Sequence, residues 1–294
     1  GFPFDLTALM ASERGMSVDE EGFNNELEGQ KSRSRKAGKI STEDWVEITP
    51  SDSSTEFVGY DNTTCDSKIL RYRKVEAKNK ISYQIVLDRT PFYPEGGGQL
   101  SDTGVIAWSG KESQVVEVHK VGDVVVHRLE GETPPVGTQI SGTVDDERRL
   151  GLSRHHTATH LVGAAARKIL GPHVWQAGAS KYVDRARLDI THHRRLTRDV
   201  IDNLESTVNQ LIVEDYPVTT EFHSREDADR KYGNTLYQGG APNYRKVRVV
   251  EIPGVDVQAC AGTHVTSTSK LEAVKVLRTE RIQDGVERIE FSAG

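Results

Sequence analysis

Four potential metal ligands in two widely separated pairs constrain this chain more than any other feature of its sequence. His156 and His160 form the first pair, and Cys260 and His264 form the second pair about a hundred residues later. Both pairs have an i, i+4 spacing, which on a helical turn places two side chains on one face, where they can meet one ion. Three imidazoles and a thiolate are a ligand set that zinc prefers. The fold is therefore expected to bring the two pairs together around Zn²⁺.

Either pair alone has an ordinary structural explanation. Two histidines one turn apart can form a solvated helix face, and a cysteine can be a small buried hydrophobic residue. A second pair with the same spacing, which contains one of only two cysteines, favours the metal interpretation. Thr157 stands where a zinc metalloprotease helix has its glutamate general base. Peptidase chemistry is therefore disfavoured.

Composition limits the classes of protein to which the chain can belong. Its 294 residues predict about two domains with a real core, and hydrophobic residues make up 35% of the chain without any run near the roughly 18 residues of a membrane span. The start of the chain does not resemble a signal sequence. Two cysteines, one of them assigned to the metal, leave no disulfide framework and indicate a reducing, cytoplasmic location. The net charge of −6 argues against a general polyanion binder but allows a local basic track.

The hydrophobic pattern predicts three regions. Residues 1–40 are expected to form a helical segment, residues 41–146 a small β-barrel that contains a glycine-rich loop, and residues 147–294 a zinc-binding core. In the barrel region, alternating patterns predict strands at Ile69–Val75, Ser82–Asp88, Val115–Val118, Val124–Leu129 and Gln139–Val144.

The last region combines both periodicities. Helical spacing predicts helices at His155–Leu170 and Arg198–Val213. Strands are predicted at Val174–Val183, Arg187–Thr191, Val218–Phe222, Val247–Ile252, Ala273–Arg278 and Glu287–Phe291. Helices with a mostly antiparallel set of strands predict an α+β two-layer sandwich.

The glycine-rich loop has two interpretations. Gly96, Gly97 and Gly98 precede Gln99, and Asp102 follows closely. Successive glycines allow positive φ and a close approach of the backbone to a ligand. The residue order fits neither a P-loop nor a dinucleotide fingerprint, and a tight connection between strands explains the same pattern.

Several separated motifs together resemble the editing region of alanyl-tRNA synthetase and its free-standing relatives. The motifs are the two ligand pairs, Gly96–Gln99, Trp175–Gly178, Arg187–His192 and Val247–Val250, and the resemblance covers nearly the whole chain. The resemblance implies hydrolysis of tRNA for alanine that has been mischarged with serine or glycine. Such editing is needed because an alanine pocket rejects neither a smaller residue nor an added hydroxyl strongly.

The resemblance also implies roles for individual residues. It implies that the zinc ligands, which also form the catalytic site, are His156, His160, Cys260 and His264. It also implies that Gln176 senses the side chain of the substrate amino acid. Thr157, Gly97, Gly98 and Gln99 are expected to line the same pocket.

The chain departs from the family pattern at two positions. Ala261 stands where the family commonly has glycine, and this costs little unless the position needs positive φ. His155 adds an imidazole beside the first ligand and is expected to point away from it, as a residue at the beginning of the helix.

The ends of the chain suggest part of a larger enzyme. The stretch Gly1–Thr7 resembles the junction that leaves the aminoacylation domain of the full synthetase. By this resemblance, the aminoacylation motifs and the C-terminal domain through which the full synthetase can oligomerise are expected to lie outside this chain.

Basic residues occur in three groups that are expected to contact tRNA phosphates. The groups are Arg148, Arg149 and Arg154; Arg194, Arg195 and Arg198; and Arg245, Lys246 and Arg248. Each group alone could be a solvated face.

Two questions stay open at the level of sequence. The first question is what the ion does. In the preferred version three residues hold the ion and it activates a water molecule; in the other version the ion orders the pocket and side chains position the water. The chain could also be a zinc-stabilised tRNA-binding module without turnover, or an editing domain of the threonyl-tRNA synthetase type.

Overall fold

The computed structural model describes residues 11, 13–16, 18–20, 22–23, 40–48, 54–77, 80–135, 137–240 and 245–294. The chain divides into two compact units, residues 1–44 with 74–82 and residues 45–73 with 83–294. The helical segment predicted for residues 1–40 lies largely outside the described residues, and the junction at Gly1–Thr7 lies entirely outside them.

The smaller unit contains a short piece of antiparallel sheet. Strand β1 (Ile40–Thr42) pairs with the end of β4 (Thr64–Ala77), where Thr42 lies opposite Val75. The amide of Glu43 continues this pairing by donating to the carbonyl of Lys74 at 3.0 Å.

The first sheet of the larger unit follows a circular order of strand pairing. Its strands are β2 (Val46–Glu47), β4 up to residue 73, β5 (Lys80–Leu87) from residue 83, β7 (Gly104–Trp108), β8 (Lys111–Val121), β9 (Val124–Glu130) and β10 (Gln139–Val144). The pairing order is β4-β10-β7-β8-β9-β5, and β5 also pairs with β4, so the order returns to its first strand. A separate short pair joins β3 (Glu56–Phe57) and β6 (Arg89–Thr90) in parallel.

Alternating burial explains how these strands enclose a core. Ile140, Gly142 and Val144 of β10 are buried, whereas their neighbours are at least partly exposed. In β8, Val115 and Val118 are both buried although three positions separate them, because a register shift between Val115 and Glu117 turns the later residues over.

Helix α1 (Asp146–Leu170) follows β10 directly and begins well before the predicted start at His155. Asp145 caps it by accepting a hydrogen bond from the amide of Arg148 at 3.0 Å, and Asp146 and Glu147 suit the positive end of the helix dipole. The prediction missed this first part because its residues are mostly charged. Gly171 ends the helix as predicted.

A second sheet and two helices form the largest core. The sheet has the antiparallel order β11 (Gln176–Lys181), β12 (Ala186–Thr191), β17 (Val286–Ala293) and β16 (Val274–Gln283). Apolar residues of α1 and of α2 (Arg198–Val213) pack with residues of β12, β16 and β17 in one buried cluster. The mixture of helices and antiparallel sheets confirms the predicted α+β class.

A third sheet carries the remaining strands. Its order is β13 (Thr219–Ser224), β14 (Lys246–Ile252) and β15 (Asp256–Ala259), all antiparallel. Helix α3 (Arg225–Tyr232) follows β13, and short 3-10 helices lie at Asn234–Leu236 and Thr268–Leu271. Strands β7 and β15 and helix α3 are among the elements that the sequence pattern did not predict. Among the described residues, the structure contains no helix that is both long and apolar enough to cross a membrane.

Candidate metal centre

Helix α1 carries the first pair of predicted ligands on one face, as their spacing predicts. His156 and His160 are both 3% exposed, and their ring centroids lie 5.6 Å apart. Gln99 and Cys260 cover His156, and Asp256 covers His160. The two imidazoles therefore project from one face into the interior.

The second pair does not lie on a helix, so that part of the sequence argument is wrong. Cys260 directly follows β15, and its amide donates to the carbonyl of Arg248 at 2.9 Å. The chain then turns through a loop to His264. A Cβ at Gly262 would lie 2.0 Å from Cε1 of His156, so only glycine fits there. Ala261 is not among the residues with positive φ, which removes the objection to alanine at this position.

All four predicted ligands converge. Their donor atoms lie within 4.8 Å of one another. The Cys260 Sγ lies 3.3 Å from Nε2 of His156 and 3.3 Å from Nε2 of His264. Tetrahedral zinc, with bonds of about 2.0 Å to nitrogen and 2.3 Å to sulfur, separates its ligand atoms by about 3.3–3.6 Å. The residues therefore fit a zinc ion, and four converging donors argue against the preferred version with three ligands.

Each imidazole is held by a partner on its other nitrogen. His156 Nδ1 lies 2.7 Å from Gln99 Oε1, and His160 Nδ1 lies 3.0 Å from Asp256 Oδ2. Thr157 Oγ1 lies 3.0 Å from His264 Nδ1. Such partners fix the tautomer and the ring orientation of metal-binding histidines.

The orientation of the Gln99 amide is set by the backbone. The Thr263 amide can only donate, and it does so to Gln99 Oε1 at 3.1 Å. Gln99 Nε2 in turn donates to Thr263 Oγ1 at 3.0 Å. Because Oε1 is an acceptor, Nδ1 of His156 must be the donor, which leaves its Nε2 lone pair directed toward Cys260.

Burial is the largest influence on the pKa of every ligand. It lowers the pKa of His156 well below its usual value and that of His264 to about 4. Burial acts the same way on His160, but hydrogen bonds with Asp256 and Cys260 outweigh it and raise the pKa to about 9. Burial raises the pKa of Cys260, yet His156 and His264 outweigh it and hold that pKa well below its usual value. The cluster therefore favours the thiolate, the form in which cysteine binds metal.

A pocket of about 530 Å³ opens beside these ligands, and His156, His160 and Cys260 line it. Four cationic residues also line it, and the described residues around it include neither aspartate nor glutamate. The other polar, aromatic and cationic residues of the lining are Tyr60, Tyr93, Lys120, Thr159, Gln176, Lys181, Phe222, Gln238, Lys246, Arg248 and Gln258. In a chain with a net charge of −6, this pocket is a local basic surface.

The residues predicted to line the pocket separate into two groups. Gln176 and Gly97 line it, whereas Thr157, Gly98 and Gln99 do not. Thr157 and Gln99 are fully buried and instead orient His264 and His156. Those two predictions of substrate contact are therefore corrected to positioning roles.

Gly98 serves the contact between the glycine-rich loop and β11. Its φ is +75°, and a Cβ there would lie 2.1 Å from the carbonyl oxygen of Ala179. The backbone of Lys181 donates to the carbonyl of Gly98 at 2.7 Å, and its Nζ donates to the carbonyl of Gly97 at 2.8 Å. The close approach that the glycines permit is to a neighbouring strand, which is the simpler of the two sequence interpretations.

Lys181 and Arg248 are site residues to which the sequence analysis gave no role in the pocket. Lys181 is 3% exposed, and burial lowers its pKa to about 8. Arg248 donates to the carbonyls of Cys260 and Gly262 at 3.0 and 2.9 Å, and its guanidinium lies 4.0 Å from the ring centroid of Tyr60. Arg248 was signalled by its charge in a basic group and by its place in the Val247–Val250 motif, whereas Lys181 carried no local signal.

Arg149 is a structural residue and not a phosphate contact. It is 8% exposed and forms a buried ion pair with Asp102 through Nη2. Its guanidinium also donates to the carbonyls of Gly59 and Pro91 at 2.6 and 2.8 Å. Because these contacts occupy the guanidinium inside the protein, the prediction of tRNA contact is corrected for Arg149.

The other predicted basic residues of the first two groups are at least partly accessible, and none of them lines the pocket. Arg148 donates to the carbonyl of Ser101, and Arg154 donates to the carbonyl of Lys270 and pairs with Glu272. Arg194 and Arg195 are exposed, and Arg198 pairs with Asp202 at 2.9 Å.

His155 points away from the cluster, as predicted, but from within the helix and not from its beginning. Its Nδ1 lies 2.8 Å from the carbonyl of Gly151, and its Nε2 accepts from the amide of Ala293 at 3.1 Å. This imidazole therefore connects α1 to the last strand.

Comparisons with known proteins agree with the resemblance that the motifs indicate. Residues 1–148, half of the chain, match the family model for tRNA synthetases class II (A), and residues 247–290 match the second additional domain of threonyl and alanyl tRNA synthetases. An alanine–tRNA ligase from Thermofilum pendens is 43% identical over all of this chain and 32% of that protein.

Two further relatives match the chain at higher identity over a shorter region. The alanine–tRNA ligases of Methanopyrus kandleri and Methanothermobacter thermautotrophicus are 53% and 54% identical over 71% of this chain, and over 23% and 24% of their own lengths. The chain thus spans between about a quarter and a third of the curated relatives that it matches. Taken with the converged ligand pairs, these matches establish that the chain belongs to the class II (A) tRNA synthetases and is similar to the editing region of alanyl-tRNA synthetase.

Proposed function

We propose that this chain hydrolyses the aminoacyl ester of tRNA for alanine that carries serine or glycine, as the editing part of an alanyl-tRNA synthetase. The pocket carries this proposal. It combines three of the four potential metal ligands, a glutamine amide at Gln176 and a basic lining in which the described residues include no carboxylate. A polyanion that ends in a small polar ester is the substrate class that such a lining suits.

His156, His160, Cys260 and His264 are the residues that would hold zinc. A zinc ion held there would order this wall of the pocket, and by expanding to five-coordination it would supply a Lewis acid that stabilises negative charge on oxygen. Gln99, Asp256 and Thr157 keep the imidazoles in place and maintain their ligand tautomers. Arg248 holds the loop between Cys260 and Gly262 through two carbonyl hydrogen bonds.

Gln176 is the proposed determinant of amino acid selectivity. It begins β11 and lines the pocket together with Gln238 and Gln258. An amide on the pocket wall can bond the hydroxyl of a serine ester, and alanine has no group that uses this bond. An unmade buried hydrogen bond of this kind costs about 1–3 kcal/mol.

The lining also offers contacts for the 3′ end of tRNA. Lys246 is exposed, and Lys181 is a buried cation within the lining. Phe222 is 61% exposed, and its ring centroid lies 6.2 Å from that of Tyr60. Exposed aromatic rings stack on unpaired bases, and cations contact phosphates, so both types of residue suit a single-stranded end.

The predictions about domains, cellular location and tRNA contacts are part of the same proposal. We propose that the circular strand order is the small β-barrel of residues 41–146, that residues 147–294 form the sandwich with the zinc site, and that the protein acts in the cytoplasm. Arg148, Arg154, Arg194, Arg195 and Arg198 remain proposed contacts to tRNA.

A second candidate function is a zinc-stabilised tRNA-binding module without turnover. The observation that favours it is the convergence of four protein ligands, because structural zinc sites are closed whereas catalytic sites keep an open position. Activity on threonyl-type substrates is the third candidate. It is less supported, because the curated relatives named above are alanine–tRNA ligases.

The deciding experiment measures deacylation of Ser-tRNA and Gly-tRNA, made with tRNA for alanine, against Ala-tRNA. We expect Ser-tRNA to be hydrolysed much faster than Ala-tRNA. Binding of tRNA with no hydrolysis above the spontaneous rate would support the second candidate, and selective hydrolysis of Ser-tRNA made with tRNA for threonine would support the third.

A further inference from the structure

A second group of histidines lies apart from the pocket lining. His173 follows the end of α1, and His192 and His193 directly follow β12. One ring nitrogen of each residue lies within 4.8 Å of the others. We call these three residues the surface histidine cluster.

The rings of the cluster are closely arranged. His173 Nε2 lies 2.9 Å from His192 Nδ1, and the two rings stack with an interplanar angle of 24°. The ring centroid of His193 lies 5.7 Å from that of His173 and 5.0 Å from that of His192. His192 is 8% exposed, whereas the other two are exposed.

The backbone around the cluster is held by hydrogen bonds from several elements. Thr191 Oγ1 donates to the carbonyl of His173 at 2.6 Å, and the amide of His192 donates to the carbonyl of Gly285 at 2.8 Å. Arg281 Nη2 donates to the carbonyl of His193 at 3.2 Å. The backbone positions from which the three imidazoles project are therefore held in place, which lowers the cost of organising a binding site.

We propose that the surface histidine cluster binds one divalent transition-metal ion of the class that prefers imidazole nitrogen, which includes Zn²⁺, Ni²⁺ and Cu²⁺. Bonds of about 2.0 Å separate two ligand nitrogens by about 2.8 Å at a right angle and about 3.3 Å in a tetrahedron. The observed 2.9 Å between His173 and His192 lies within this range. Because His173 and His193 are exposed, water or an anion completes the coordination.

The surroundings indicate weaker binding than at the first cluster. The surface histidine cluster has neither a thiolate nor a carboxylate among its three ligands. The exposed Arg194 and Arg195 follow the cluster in sequence, and their positive charge disfavours a bound cation. The nearby carboxylate of Glu287 forms an ion pair with Arg281 at 3.0 Å. The ion is therefore expected to exchange with solvent and to be removed by mild dialysis.

The test is a zinc titration of the whole chain. Before the titration, dialysis removes loosely bound metal under conditions that leave the tightly bound metal in place. Wild type is expected to bind one further equivalent of Zn²⁺ with micromolar affinity. The double variant His173→Gln, His193→Gln is expected to lose that equivalent and to keep the tightly bound metal. His223→Gln is the matched control, since it removes a partly buried histidine of β13 and should leave the titration unchanged.

A second measurement identifies the ligands. Cu²⁺ added to the zinc-loaded chain should give an electron paramagnetic resonance spectrum with nitrogen couplings, and the double variant should lose them. The proposal is overturned if wild type binds no second equivalent, which would leave only a hydrogen-bonded stack of imidazoles. It is also overturned if the double variant with intact tight metal still binds it, or if His223→Gln loses it equally. The inference is independent of the proposed hydrolysis, because neither measurement uses tRNA.

Discussion

The two histidine clusters differ in what surrounds their rings. In the first cluster each imidazole contacts a separate protein group, Gln99, Asp256 or Thr157, on the nitrogen that faces away from the common centre. In the surface histidine cluster the Nε2 atom of His173 contacts another imidazole, that of His192. The first arrangement fixes the tautomer and direction of each ligand, and the second does not. Convergence of nitrogens therefore makes a possible site, and we expect the outer partners, together with the thiolate, to strengthen binding at the first cluster.

Removal of the Cys260 thiolate should have the largest effect, because only the first cluster contains a thiolate. Cys260→Ala is expected to lose the tightly bound zinc and to reduce Ser-tRNA hydrolysis by more than the roughly 10–100-fold that loss of an outer partner costs. Elemental analysis and single-turnover deacylation measure the two effects. Cys65→Ala is the control, because Cys65 is the other cysteine and lies in β4. Wild-type hydrolysis by Cys260→Ala would show that the metal cluster is not the active site.

Loss of the Arg149 guanidinium should destabilise the fold near the first cluster. This guanidinium pairs with Asp102, which lies three residues after Gln99, the partner of His156. Arg149→Met leaves Asp102 buried and without its charged partner, which typically costs about 3–5 kcal/mol of folding free energy. Urea denaturation measures this change. The double variant Asp102→Leu, Arg149→Met should be less damaging than the single variant, because no unpaired charge remains. Equal stability of Arg149→Met and wild type would refute the buried ion pair.

Replacement of Gln99, the outer partner of His156, tests whether such partners strengthen metal binding. Gln99→Leu keeps the volume but removes the acceptor for His156 Nδ1, so zinc affinity should fall by about 10–100-fold. Competition with a chelator of known affinity measures this change. Gln210→Leu, on the exposed side of α2, is the control. If Gln99→Leu binds zinc as tightly as wild type, outer partners do not explain the difference between the clusters.

Sequence alone predicted the ligands but not the partners that hold them. His156 and His160 follow from helical spacing, whereas Cys260 and His264 were found by the same spacing although they lie on a loop. There, Gly262 allows the loop to approach the His156 ring closely, which the helix was expected to achieve by spacing alone.

The outer partners come from distant parts of the chain and therefore leave no local pattern. Gln99 lies 57 residues before His156, and Asp256 lies 96 residues after His160. The strand and helix order was readable because it depends on local periodicity. The first part of α1 was missed because its charged residues carry no apolar stripe, and Arg149 was misassigned because burial of an ion pair depends on tertiary contacts.

Gln176 tests whether the pocket selects the amino acid separately from zinc binding. Gln176→Ala should lower the rate of Ser-tRNA hydrolysis relative to Ala-tRNA by an amount equivalent to about 1–3 kcal/mol. The ratio of the two single-turnover rates measures this effect. Zinc content and tRNA affinity should not change, since Gln176 is not one of the four ligands. An unchanged ratio would assign discrimination to other parts of the lining.

The smallest effect is expected near the surface histidine cluster. Replacement of Arg194, Arg195 and Arg198 by glutamine should weaken tRNA binding and reduce the slope of log affinity against log salt by about 0.7–0.9 for each phosphate that is no longer neutralised. A salt series of tRNA binding measures the slope. Lys111→Gln, in the hairpin of β7 and β8, is the control. The same slope in wild type and variant would remove this group from the tRNA-binding surface.

The central claim is that the four converged ligands form a zinc site on which selective hydrolysis depends. The most direct measurement follows Ser-tRNA hydrolysis by the purified chain before chelation, after removal of zinc and after zinc is restored, with circular dichroism to follow the fold. We predict about one tightly bound zinc per chain, loss of hydrolysis when it is removed, a largely retained fold and recovery on restoration. Hydrolysis at the full rate by metal-free protein would contradict the claim.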